Sequence, residues 1–118
     1  MEFKRSKRVG DLIKREISSV LIKDYRDPEL GFVTITRVIL SDDLRYAKVY
    51  CSVMGSIRDK DKTLKALRKG RKFIKQKIGE KLSLKYMPEI NFFIDNTLDY
   101  VQKIEKLISE LKDKGELL

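Results

Sequence analysis

Two adjacent runs in the first half of the chain admit only extended structure, and they set what the rest must cover. Residues 32–40, FVTITRVIL, are dense in β-branched types, which fit a pleated, half-buried surface. Residues 46–53 alternate strictly, with Ala47, Val49, Cys51 and Val53 facing one way and Tyr46, Lys48, Tyr50 and Ser52 the other. Only Ser41, Asp42 and Asp43 and their immediate neighbours separate the runs, so a tight antiparallel connection is expected. One face of such a sheet is apolar and needs helices.

The flanking sequence supplies them. Val9, Leu12, Ile13, Ile17, Val20 and Leu21 recur at intervals of three and four, the spacing of one helical face. Asp24 to Gly31 ends that helix, with Asp27-Pro28 as a turn signal and Gly31 as a residue able to take a positive φ. From about Asp59 to Leu82 the pattern is helical again, with Asp59 or Asp61 as the expected N-cap. Leu64, Leu67, Ile74 and Ile78 share a narrow arc, but Ala66 and Phe73 fall off it and Arg71 falls inside it. A straight helix fits badly. Gly70 lies at the misfit, so a break is expected there, turning Phe73 and Ile74 inward.

After Pro88 a third strand is expected, with Ile90, Phe92 and Ile94 on one face. Asn96 or Thr97 can then cap a last helix. Its stripe, Val101, Ile104, Ile108 and Leu111 with Leu107 alongside, is expected to cover the domain's own core. The order is α-β-β-α-kink-α-β-α, an α+β fold with a three-stranded sheet packed on helices. A length of 118 residues allows one domain, here 1–118, with flexible ends expected at 1–5 and 113–118.

Composition narrows function by subtraction. The chain has no His, which removes the commonest acid–base group and the commonest metal ligand. A lone Cys51 can form neither an intrachain disulfide nor a zinc site, and is most simply a core residue. No glycine-rich phosphate loop occurs. No enzymatic activity, metal or cofactor is expected. Apolar stretches fall short of a bilayer span and no signal segment follows the basic start, so a cytoplasmic protein without a membrane partner is expected.

What remains is charge. The net charge is +9, and residues 58–85 alone hold twelve basic and three acidic side chains. Between Leu64 and Gly79 no acidic residue interrupts the positives. Lys65, Arg68, Lys69, Lys72 and Lys75 fall opposite Leu67 and Ile74, as one basic stripe along the broken helix. A solvated helix face normally mixes signs. A one-sided face repels itself unless a polyanion relieves it, so nucleic acid is the expected partner. Arg71 and Lys77 join the stripe if the kink turns them outward, and Gly70 allows close backbone approach to phosphates. Arg5, Lys7 and Arg8 form a second cluster, which is as readily a frayed basic terminus. Arg45, Lys48, Tyr46 and Tyr50 read as ordinary exposed sheet residues. A helix–break–helix with glycine at the break suits a KH-like RNA-binding domain, although the GxxG signal is absent.

The ordered motifs are more specific. Ser6-Lys7-Arg8-Val9, Glu16-Ile17-Ser18 and the long run Asp27-Pro28-Glu29-Leu30-Gly31-Phe32-Val33-Thr34-Ile35-Thr36-Arg37-Val38 come first. Ser41-Asp42-Asp43-Leu44, Ala47-Lys48-Val49-Tyr50, Leu64-Lys65-Ala66-Leu67, Pro88-Glu89-Ile90-Asn91-Phe92 and Asp95 follow in order. Across nearly its whole length the chain resembles the ribosome-binding factor A family. That resemblance implies a type II KH-like fold in which an interhelical Ala-x-Gly kink replaces GxxG. Here the kink falls on Gly70-Arg71-Lys72, with lysine where the family has glycine. It further implies a factor that binds the immature small (30S) ribosomal subunit through 16S rRNA and assists late rRNA processing and maturation, notably in cold adaptation. No cofactor, a functional link to a ribosome-assembly GTPase and a monomeric state are implied with it. The alternative is a general single-stranded RNA-binding or RNA chaperone module. A further rival is a protein-interaction module using the acidic last helix, residues 98–113.

Overall fold

The computed structural model describes residues 2–113, with side chains for 5–96 and 104–112. Helix α1 (Glu2–Lys23) leads into strands β1 (Val33–Leu40) and β2 (Tyr46–Val53). Helices α2 (Ile57–Lys69) and α3 (Arg71–Lys81) follow, then β3 (Glu89–Ile94) and α4 (Thr97–Asp113). This is the expected type II KH-like order with one further helix. The sheet order is β1-β2-β3, with β1 and β2 antiparallel and β2 and β3 parallel. A parallel neighbour needs a crossover, and α2 with α3 forms it.

The alternating pattern of residues 46–53 is realised in full. Ala47, Val49, Cys51 and Val53 are buried, together with Ile35 and Leu40 of β1 and Ile90 and Phe92 of β3. On top of them lie Val9, Ile13, Ile17 and Val20 of α1, Ala66 and Leu67 of α2, and Ile74 and Ile78 of α3. Full burial of each large aliphatic side chain contributes roughly 1.5–3 kcal/mol, so this single layer of helices on one sheet face carries the stability. Gly31, with φ +59°, makes the left-handed turn expected between α1 and β1.

Three expectations are corrected. Helix α2 starts earlier than Asp59: Ser56 is its N-cap, and its hydroxyl accepts from the Asp59 amide. Asp59 instead takes the reciprocal place in the capping box, accepting from the Ser56 amide at 2.8 Å. A serine three residues before an acid satisfies two amides at once, which a lone aspartate cap does not. Phe73 does not turn inward with Ile74. It stays 37% exposed and packs its ring 5.8 Å from that of Tyr25.

The third correction concerns α4, whose described apolar residues Ile104, Leu107 and Ile108 are not buried against the core. Ile104, Leu107 and Ile108 are 38%, 55% and 42% exposed. Val101 lies among the residues whose side chains are not described.

Candidate nucleic-acid interface

The break between α2 and α3 is built around a tyrosine. Gly70 has φ −88° and ψ 6°, a conformation open to any residue, so backbone strain does not select glycine here. Space does. A Cβ at position 70 would lie 2.6 Å from Cε1 and Oη of Tyr25. The Tyr25 hydroxyl donates to the Ala66 carbonyl at 2.7 Å, tying the end of α1 to the last turn of α2. Burial, and after it the Asp27 carboxylate, pushes the phenol above its ordinary pKa and keeps it a donor. Gly70 is itself buried, so its backbone is not presented to a ligand as the sequence suggested.

What the break does present is its flanks. Arg68, Lys69, Arg71 and Lys72 are exposed on either side of it. Helix α3 begins at Gly70 without a side-chain cap and without an acid in its first turn. Its partial positive end therefore adds to the cations around it. Among the described residues no acidic side chain pairs with Arg68, Lys69 or Lys72. These three form the unneutralised centre of the site.

The rest of the stripe is tied down. Lys65 pairs with Asp61 at 2.9 Å, one turn back on α2. Lys75 is only partly exposed and pairs with Glu89 at 2.8 Å, while Arg71 donates to Asn91 Oδ1 at 3.2 Å. Lys77 lies 4.0 Å from Glu80 and 5.7 Å from the Phe73 ring centroid. The uninterrupted basic run is thus interrupted in space, by acids from α2, α3 and β3. The two contacts to β3 tie α3 to the outer edge of the sheet, and among the described residues that edge strand has no neighbour beyond it.

Arg5, Lys7 and Arg8 are not brought to this site. Tyr25, just past the C-terminal end of α1, marks the kink end, whereas Arg5 lies about 27 Å back along the helix at 1.5 Å per residue. Arg5 instead lines a cleft of about 610 Å³ with Arg45, Lys85 and Tyr86 at the far end of the sheet. Lys7 and Arg8 border a shallow depression with Asp11, Leu12 and Arg15.

Two residues that shape the site carried no role in the sequence reading. Tyr25 falls four residues after Leu21, a continuation of the apolar series that could have placed it on the core side. Thr63 is fully buried and donates to the Leu30 carbonyl at 2.6 Å, locking α2 to the turn after α1. No side-chain pattern announces that bond. No group of three or more metal-ligating side chains occurs among the described residues. Among the described residues no helix is long and apolar enough to cross a membrane.

Comparison with known proteins places this arrangement in a family. The family model described as ribosome-binding factor A matches residues 5–108. A ribosome-binding factor A of Halothermothrix orenii is 37% identical over 116 residues, covering 98% of this chain and 95% of that one. One from Staphylococcus epidermidis is 43% identical over 107 residues, with 91% and 92% covered. The crystal structure of ribosome-binding factor A from Thermus thermophilus superposes with a TM-score of 0.66 at 20% identity, over 75% of this chain and 94% of that one. A Thermus thermophilus ribosome binding factor A, described as fitted into a cryo-electron microscopy map of a 30S complex, gives 0.59 at 21% identity, covering 71% and 88%. With a matched model over most of its length and relatives this similar end to end, the chain belongs to the ribosome-binding factor A family.

Proposed function

We propose that this protein is a ribosome assembly factor. It binds the immature small (30S) subunit through 16S rRNA and assists late rRNA processing and subunit maturation, including at low temperature. The observation that carries the reading is the family membership, joined to the unneutralised cluster Arg68, Lys69 and Lys72 at the helix break. The Thermus thermophilus relative described in a 30S complex supports the small subunit as the target.

Recognition is electrostatic and by shape. Arg68, Lys69 and Lys72 hold backbone phosphates of folded rRNA, with the start of α3 adding its dipole. Lys65, Arg71, Lys75 and Lys77 exchange their present partners for phosphates as the RNA seats along the β3 edge, and Arg5, Lys7 and Arg8 reach a separate segment. No cofactor takes part. The protein acts as a cytoplasmic monomer and leaves the matured particle in a step linked to an assembly GTPase.

Co-sedimentation with mature and immature small subunits across a salt series tests this. The protein is expected with the immature particle at low salt and released as salt rises, and Lys69→Glu with Lys72→Glu is expected to abolish association while leaving the melting temperature nearly unchanged. Co-migration with neither particle, or undiminished association of the double variant at moderate salt, overturns the reading.

A further inference from the structure

The helices occupy one face of the sheet and leave the other open, and the open face is not uniformly polar. A register shift between Ile35 and Arg37 makes Thr36 a bulge and brings Arg37 opposite Tyr50. Tyr50 is in turn opposite Phe93 in the parallel pair. One row across all three strands therefore reads Arg37, Tyr50, Phe93. The Arg37 guanidinium lies 4.1 Å from the Tyr50 ring centroid, and the Tyr50 and Phe93 rings are 5.6 Å apart with their planes tilted by 32°. The row is held in place from one side. Asp95, itself largely buried, sits 3.7 Å from Arg37 Nε and accepts from the Thr36 hydroxyl at 2.7 Å.

From this row we infer a second RNA-binding site on the open sheet face: a stacking platform for an unpaired nucleobase on the exposed ring of Phe93, backed by Tyr50, whose own ring Arg37 covers. An exposed aromatic ring at the end of such a stack takes a splayed-out base of any identity. One cation stands where the backbone of such a strand would run. Exposed Lys48 is one row away, between Ile39 and Asn91 and about 7 Å along β2 from Tyr50.

The platform also continues the interface at the helix break. Asn91, which holds Arg71, and Phe93 alternate onto the same face of β3, again about 7 Å apart. An RNA strand whose phosphates are gripped by Arg68, Lys69 and Lys72 is thus within reach of the platform by passing over the β3 edge. This places single-stranded RNA, rather than a duplex, against the sheet. It rests on the RNA-binding reading and adds to it aromatic rings that contact a base and themselves neutralise no phosphate.

That difference supplies the test. The full chain is titrated with a fluorescein-labelled, unstructured single-stranded RNA oligonucleotide and with immature small subunits, at several salt concentrations. Phe93→Leu and Tyr50→Leu, which keep bulk but lose the ring, are expected to weaken oligonucleotide binding about 5- to 150-fold with the slope of log affinity against log salt unchanged. Tyr50→Phe and Phe93→Trp keep a ring and are expected to bind at least as well as the parent. The Trp variant serves if the leucine variants melt early.

Leucine variants that bind as the parent overturn the platform, and so does a loss accompanied by a changed salt slope. A weaker Phe93→Trp overturns it too. Impaired subunit association with unaltered oligonucleotide binding replaces the base by a ribosomal protein and also overturns it. If the parent itself binds neither probe, the RNA-binding reading falls first. If the parent binds and the leucine variants match it, only the platform falls.

Discussion

Tyr25 and Gly70 share one volume: the phenol ring stands where a side chain on residue 70 would project, and its hydroxyl bonds the Ala66 carbonyl one turn earlier. Gly70→Ala therefore has to push the ring aside, an overpacking that costs about 1–3 kcal/mol. Chemical denaturation is expected to show that loss. In a Tyr25→Leu background the same substitution is expected to cost much less. Tyr25→Phe keeps the packing and loses only the hydrogen bond, for about 1 kcal/mol.

The stripe residues are expected to contribute unequally to RNA affinity. Lys72 carries no acidic partner among the described residues, so Lys72→Ala removes one phosphate contact and lowers the salt slope by about 0.7–0.9. Lys65 gives up its contact to Asp61 when it turns to a phosphate. Lys65→Ala is accordingly expected to weaken binding by less than Lys72→Ala at the same salt. Equal effects would mean that the Asp61 pair does not hold Lys65 in solution.

The start of α2 gives an acid-side prediction. The Ser56 amide bonding to Asp59, and after it the Ser56 hydroxyl, hold that carboxyl below its usual value. A carboxyl depressed in the folded state stabilises above its unfolded pKa of 3.8, and that contribution is lost as pH falls through the lower folded value. Ser56→Ala is expected to cost about 1 kcal/mol near neutral pH. Asp59→Asn is expected to destabilise at neutral pH, with the difference from the parent shrinking in acid melts.

Cys51 gives an alkaline one. Burial, and then the charge of Asp95, push its thiol from 9.0 to about 11. The native chain keeps a proton that the unfolded chain releases above pH 9, so stability declines between pH 9 and about 11. Cys51→Val is expected to lack that part of the decline. A disulfide reagent at pH 8 is expected to label native Cys51 far more slowly than the unfolded chain, because the thiol is both buried and held protonated.

Helix α4 provides a negative control. Ile104, Leu107 and Ile108 are exposed, so Ile104→Glu and Ile108→Glu are each expected to change stability by no more than about 0.5 kcal/mol. A loss of several kcal/mol in a thermal melt would place the stripe against the core after all.

Local patterns carried most of the fold. Alternation in residues 46–53 placed Ala47, Val49, Cys51 and Val53 inward, and the misfit of Ala66, Arg71 and Phe73 located the break at Gly70. What failed needed knowledge of neighbours. The stripe on α4 looked like a core face, because amphipathicity does not say whether the surface it would meet is already taken. Glycine at the break looked like a backbone requirement, yet its cause is a ring 45 positions earlier in the chain. The basic run looked unopposed, because Glu89 and Asn91 arrive from a strand that charge counting along the sequence keeps apart. Arg68, Lys69 and Lys72 were legible as cations. Their distinction from Lys65 and Lys75 was not.

The shared volume at the break also constrains inheritance. Because steric exclusion, not dihedral freedom, selects glycine at position 70, drift at that position is coupled to drift at position 25. A relative with alanine at the break, as in the Ala-x-Gly kink that the resemblance implies, is expected to carry a smaller or displaced side chain at position 25. From such a state the methyl must leave before the ring can enter, and ancestral sequences reconstructed along related branches should show glycine at 70 preceding tyrosine at 25.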